Sequence, residues 1–368
     1  MKKQVAHRCF NRESFFKELP PVVSRLHLLL VLLSPALLIP TAVCSFAKAT
    51  PPIRGTFLQL SAQHQSWPLE KWQRLFADLQ TIQVEEIVIQ WTVFDDLVWY
   101  RTEQSQPATL DYIMQLAAAS GIKVWLGLVH DSQFWSQIDR ELALVEVYLR
   151  RLQLRSEEAA RKLAAAYPQF YGWYIPSEVD DKHWQQHNSQ EVLFNHLQQL
   201  TAGLRRIRAG TPVAISGFSN ALMDPETLEH FWKNLVCRTT IDVVLFQDGI
   251  GTKKMNFYTL PLYLQAMQRG VQWQGCRLQV VVELFQEIQS RPFRAIPAPW
   301  ERVAHQIALA QHYTDRHVIA FSIPDYMSPQ AGEGAARLFQ DYLAHWHDTP
   351  AKKRISRTTK GRSATGDE

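Results

Sequence analysis

The chain is poor in several features that would betray common functions. Cysteine occurs four times in 368 residues, and only Cys237 and Cys276 fall beyond the first 49, too few for the disulfide framework of a small secreted scaffold. No His-Glu-x-x-His motif occurs, and His64, His130 and His183 are scattered, so no metal site is expected. No glycine-rich phosphate fingerprint follows an apolar run. Gly217-Phe-Ser and Asp248-Gly-Ile-Gly251 lack the spacing and the helix start that a dinucleotide site needs, and no cofactor is implied. A basic groove is missing as well. The net charge is +4, but residues 1–25 and 349–368 each carry six basic side chains against two acidic ones. Taken from the totals of 39 basic and 35 acidic residues, these ends leave a body with an excess of acid. Nucleic acid is therefore not an expected partner.

What is present begins with an apolar stretch, Leu26 to Val43, behind a positive n-region and ahead of small residues at Ala47 and Ala49. This outline predicts a secretory signal over 1–49 and a periplasmic or secreted product. The alternative is an uncleaved inner-membrane anchor, since about 17 to 20 apolar residues can span a bilayer. Pro35 and Pro40 argue against a full-length helix there. Membrane association is expected only through this segment.

From Arg54 to Trp346 short β-branched runs alternate with longer amphipathic segments, the pattern of a parallel sheet with crossover helices. Eight units are counted. Strands are expected at 55–60, 86–91, 123–129, 172–176, 213–217, 242–247, 278–283 and 318–323. Helices lie between them, three being followed by Gly121, Gly210 and Gly270 where a C′ glycine is expected. Eight such units suit an α/β fold of the (β/α)8 TIM barrel type, with an open doubly wound sheet as runner-up. The barrel is placed at 50–348 as a single, monomeric domain. A basic, Ser/Thr-rich tail at 349–368 is read as disordered. An extra helical segment over 133–152 makes the third unit the longest. Cys237 and Cys276 precede neighbouring strands, so the sequence allows a disulfide across the barrel floor or two free thiols.

In such a barrel the C-terminal strand ends converge on one mouth. Glu178 follows the fourth strand and Glu283 ends the seventh. Glycoside hydrolysis needs one carboxyl held protonated for the leaving oxygen and one ionised to attack the anomeric carbon or activate water. Gln59, Gln90, Trp91, His130, Asn220, Gln247, Asp248 and Asp325 sit near other strand ends and are candidates to bind sugar hydroxyls. Trp67, Phe94, Trp99, Tyr100, Phe134, Trp135, Trp184, Phe285 and Tyr326 follow in loops as candidate stacking surfaces. Plainer readings stand beside these: Asp248-Gly249 as a turn, His130 as a rim histidine, many of the aromatics as core. Asp180 and Asp181 are rivals for the acid after the fourth strand.

The placement of the two glutamates resembles the large clan of retaining (β/α)8 glycosidases, which implies Glu178 as acid/base and Glu283 as nucleophile. Ser177 stands where many members have asparagine, and Ser322 and Ile323 where many have tryptophan. Gly55-Thr-Phe-Leu-Gln59, Ile89-Gln-Trp91, Gly172-Trp-Tyr-Ile-Pro-Ser-Glu178, Phe246-Gln-Asp-Gly-Ile-Gly251 and Val282-Glu-Leu-Phe285 are similar to a bacterial family of secreted glycosidase-like barrels catalogued as domain of unknown function 4434. That resemblance implies a carbohydrate ligand. Two outcomes are open: retaining hydrolysis of a polysaccharide or oligosaccharide, or a non-catalytic carbohydrate-binding barrel in an exopolysaccharide assembly or modification system.

Overall fold

The protein is described by a computed structural model over residues 51–102 and 107–358. The expected signal segment and residues 359–368 of the tail lie outside the described residues. Eight parallel strands close a barrel: β1 (Ile53–Leu58), β2 (Glu86–Ile89), β3 (Lys123–Gly127), β4 (Gly172–Asp180), β5 (Val213–Phe218), β6 (Val243–Gln247), β7 (Arg277–Glu283) and β8 (Val318–Phe321). Each pairs with its neighbours in chain order, and β8 closes on β1 with Thr56 opposite Ala320. The eight longer helices are α1 (Leu69–Thr81), α2 (Thr109–Ser120), α3 (Leu142–Ala166), α4 (His187–Ile207), α5 (Pro225–Arg238), α6 (Leu260–Val271), α7 (Trp300–Tyr313) and α8 (Glu333–Thr358). The open-sheet alternative is thereby excluded.

Continuous apolar runs build these strands because both faces are buried. Side chains alternate with a period of two. Val88, Val243, Leu245, Val281 and Ile319 fill the lumen with Phe57, Trp125 and Tyr174. Their neighbours Ile87, Ile89, Val244, Phe246, Val280, Val282 and Val318 point outward into the layer beneath the helices. Each such side chain contributes about 1.5 to 3 kcal/mol when fully buried, so the two layers together fix the register. The barrel floor is polar. Glu86 at the start of β2 accepts hydrogen bonds from Trp125 Nε1 (2.8 Å) and Gln279 Nε2 (3.4 Å) and pairs with His317.

Several expectations need correction. Gly121 does take the left-handed conformation after α2, with φ 68°. Gly270, expected to end a helix, instead lies inside α6, where a Cβ would come within 2.6 Å of the Glu229 carbonyl oxygen; it is glycine because α5 and α6 approach closely there. The segment from 133 is a short helix, Phe134–Ile138, followed by the single long α3. Cys237 and Cys276 are free: Cys237 is exposed on the last turn of α5, whereas Cys276 is buried ahead of β7, so the disulfide is not formed. Helix α8 runs past 349 to Thr358. Two additions at the mouth carried no clear strand period: a three-stranded patch of Val93–Phe94, Leu97–Val98 and Val129–His130, and an antiparallel hairpin of Phe285–Ser290 with Phe293–Pro297. Among the described residues, no helix is long and apolar enough to cross a membrane.

Candidate active site

Glu178 lies within β4 rather than after it. Between Ile175 and Val179 the register against β5 slips, so that four steps along β4 match two along β5. Such a bulge re-aims a side chain at a barrel rim, and here it presents Glu178 to the mouth. Glu178 Oε1 accepts a hydrogen bond of 2.7 Å from Gln247 Nε2 at the end of β6. Burial raises its pKa; the Gln247 bond and the Lys254 charge oppose that shift, and Asp180 adds to it.

Glu283 ends β7 and is 3 % exposed. Its Oε2 accepts the Thr252 backbone N–H at 2.9 Å, with the Thr252 hydroxyl 3.4 Å from both carboxylate oxygens. Gly251 makes this approach possible. A Cβ there would sit 2.4 Å from the Phe285 carbonyl oxygen and 2.9 Å from Glu283 Oε2, distances no side chain tolerates. The end of β6 and the loop after it therefore touch both glutamates, Glu178 through Gln247 and Glu283 through Thr252. From the same loop Lys254 stands 3.4 Å over the Phe218 ring. Burial lowers its pKa, while Glu178, Glu283, Asp180 and Asp181 pull it back up.

Asp248 is enclosed, 1 % exposed, and so is not a ligand on the cleft surface. Gln306 Nε2 donates to it at 2.5 Å and the Ile250 N–H at 3.1 Å. Its effect is electrostatic. Burial first, then the charge of Asp248, pushes the Glu283 carboxyl well above the carboxylate range. Asp248 is raised too, by burial, against the opposing pull of Gln306, Ile250 and Arg302. Each of the two buried carboxyls thus favours its protonated form, and the donors around Asp248 oppose this at Asp248.

Asp181 accepts from Ser219 Oγ (2.5 Å), Asn220 N (2.6 Å), Leu222 N (2.9 Å) and Met223 N (3.2 Å). It pins the turn after β5. Asp180 is engaged by His183 Nδ1 at 2.8 Å. Asn220, expected to face the sugar, donates its amide to Asp181 at 3.1 Å. All three are engaged by neighbouring side chains or backbone.

Other candidates do gather at the mouth. Gln59, Trp91 and Asp325 line a cavity of about 480 Å³ together with His64, Phe94 and Trp99. Trp91 stacks on His130 with centroids 4.8 Å apart and anchors its Nε1–H on the Leu60 carbonyl at 2.7 Å. Gln90 is buried beside it, with Oε1 unpaired among the described residues. Trp135 meets Phe218 at 5.8 Å and His183 at 5.3 Å. Tyr326 packs on Phe285 at 5.2 Å, its hydroxyl pKa pushed up to about 12 by burial and by the charges of Asp325 and Glu283. Tyr100, Phe134 and Trp184 are core side chains, each nearly inaccessible. Lys254 and Thr252 escaped the sequence reading because their loop carries only turn chemistry; the one hint was Gly251, close after a strand. Among the described residues no group of three or more His, Cys, Asp or Glu is placed to hold a metal ion.

The family model described as a domain of unknown function (DUF4434) matches residues 53–333, which spans the whole barrel from β1 to the start of α8. The chain belongs to this family. The uncharacterized protein YbcH of Escherichia coli (strain K12) is 30 % identical to the DUF4434 barrel over 243 residues, 65 % of this chain and 78 % of that one. Among solved structures, a candidate alpha-L-fucosidase from Bacteroides thetaiotaomicron VPI-5482 superposes with a TM-score of 0.67 at 18 % identity, covering 80 % of this chain and 93 % of that chain. The beta-galactosidase of the psychrophilic Marinomonas ef1 superposes with a TM-score of 0.53 at 10 % identity, over 83 % and 60 %. A GH18 chitinase from Pseudoalteromonas aurantia gives 0.50 at 12 %, over 78 % and 98 %. At these identities the likeness is one of fold, so the DUF4434 barrel shares its architecture with proteins named as glycosidases.

Proposed function

We propose that this chain is an exported, monomeric glycoside hydrolase that cleaves a polysaccharide or oligosaccharide with retention, and that residues 1–49 serve its export. The observation that carries the reading is that the end of β6 and the loop after it contact both glutamates, Glu178 through Gln247 and Glu283 through Thr252, and that Lys254 of that loop interacts electrostatically with both. In the first step Glu178 gives its proton to the glycosidic oxygen while the Glu283 carboxylate attacks the anomeric carbon, so that the bond to the leaving sugar breaks as a glycosyl ester forms. In the second step Glu178 takes a proton from water, whose oxygen displaces Glu283. Burial of Glu178 supports its role as the acid. The aromatic walls of Trp91 and Trp135 suit the apolar faces of sugar rings.

One observation favours a second reading, a carbohydrate-binding barrel without turnover. Burial and the charge of Asp248 push the Glu283 carboxyl toward its protonated form, and a protonated carboxyl is not a nucleophile. The two are separated by screening residues 50–358 against purified polysaccharides alongside Glu178→Gln. Hydrolysis that falls about a thousandfold in the variant, with binding retained, is the expected result. Binding by both proteins with release of sugar by neither selects the second reading.

A further inference from the structure

A second cavity, of about 340 Å³, lies outside the cleft and is bounded by Asp131, the helix Phe134–Ile138 and α3. Three arginines reach it. Arg151 and Arg155 are one helical turn apart on α3, and Arg140 stands just before that helix. Arg151 has no hydrogen bond or ion pair among the described residues. Arg140 is tied to Gln137 at 2.9 Å and Arg155 to the Asp95 carbonyl at 2.5 Å, one hydrogen bond each, so most of their donors remain uncommitted.

The lining also carries a buried polar group. Tyr148 is 8 % exposed; its hydroxyl makes no hydrogen bond of ordinary geometry, and burial, together with the Asp131 carboxylate beside it, raises its pKa. The acid in the lining, Asp131, accepts the Gln133 backbone N–H at 2.8 Å through Oδ1, and its charge acts on Tyr148 together with that of Asp95, so three arginines face two acids. The apolar part of the wall is Leu144 and Val147, 42 % and 60 % exposed.

We propose that this cavity is a binding site for a carboxylate-bearing saccharide, with Arg140, Arg151 and Arg155 holding the carboxylate and Tyr148 a hydroxyl. Guanidinium forks match carboxylates in paired hydrogen bonds. The apolar wall and the lone hydroxyl fit a sugar ring better than a bare inorganic anion. Position supports the choice, because helix Phe134–Ile138 separates the two sites: Trp135 faces the cleft while Gln133 and Gln137 line this cavity. One acidic chain could lie across both. That the anion is borne on a sugar rests on the proposed carbohydrate reading; the anion site does not.

The test is calorimetric binding of trigalacturonate, with maltotriose as the neutral control, to residues 50–358 carrying Glu178→Gln so that turnover plays no part. Trigalacturonate is expected to bind more weakly as salt rises, and Arg151→Gln or Arg140→Gln to weaken it at least tenfold without affecting maltotriose. Both arginines are exposed, so both variants should melt like the parent. No binding of trigalacturonate by the parent overturns the site. So does unchanged binding in the arginine variants with loss in Lys254→Gln, which would place the acid sugar in the cleft. Failure of the hydrolase reading shows separately, as absence of sugar release by the protein with Glu178 intact.

Discussion

At the scale of single residues, the two acids differ in what surrounds them, and the surroundings can be altered one charge at a time. Glu283 is raised by burial and by Asp248, and Lys254 works against both. Removing the Asp248 charge in Asp248→Asn should let the Glu283 carboxyl ionise at lower pH, by at least about one unit, since a neighbouring like charge moves a carboxyl by that much. Lys254→Met should move it the other way and raise Glu178 as well. A carbon-13 titration of labelled glutamate carboxyls reads both shifts without a substrate; shifts of the same sign in the two variants would refute the electrostatic account. Sequence spacing was enough to place Glu178 and Glu283 at the mouth ends of their strands, because strand ends are visible as the last positions of apolar runs. It could not reveal that Asp248 is enclosed or that Asn220 is spent on Asp181, since both facts depend on where loops fold back. Lys254 was hidden for the same reason.

Elements explain why some of the chain was legible and some was not. Barrel strands are buried on both faces and therefore uninterrupted in apolar residues, and all eight were placed within a few residues of their observed positions. The bulge in β4 left no such mark, because Pro176 and Ser177 read equally as the strand's end. The hairpin after β7 does not alternate polar and apolar side chains, and most of it faces solvent, with Ile288 and Phe293 both half exposed, so no buried face gave it a period. The loop after β6 depends on one glycine. Adding a methyl at Gly251 must push the backbone away from Phe285 and Glu283, and the Thr252 N–H moves with it. Gly251→Ala is expected to destabilise the fold by about 1 to 3 kcal/mol, as overpacking does, and to raise the Glu283 pKa further by removing a hydrogen bond to its ionised form. A thermal melt and the same carboxyl titration measure the two effects. If the variant melts and titrates like the parent, the loop does not depend on the missing Cβ.

Across the whole molecule, the barrel carries buried acids at both ends with opposite consequences for stability. At the floor, burial alone would raise Glu86, but His317, the Trp125 N–H and Arg277 outweigh it and hold the carboxyl below its ordinary value of 4.5. A group lowered on folding stabilises the native state above its unfolded pKa, and this contribution is lost as pH falls through the folded one. At the mouth, Glu283 is raised from 4.5 to about 8. Its contribution is complete below 4.5 and disappears as pH rises toward 8, because the folded protein must then give up a proton it binds tightly. Glu86→Gln should therefore lower the melting temperature at pH 7 by an amount set by about 1 to 3 kcal/mol of unmet hydrogen bonding, and by less in acid. Glu283→Gln should have little effect near pH 4 and raise the melting temperature progressively up to pH 8, by a few kcal/mol of relieved strain on the order expected for such a shift. Melting curves of the parent and both variants from pH 4 to pH 9 decide the matter. Two variants whose effects change with pH in the same direction would mean that floor and mouth do not differ in the way their hydrogen bonds and charges require.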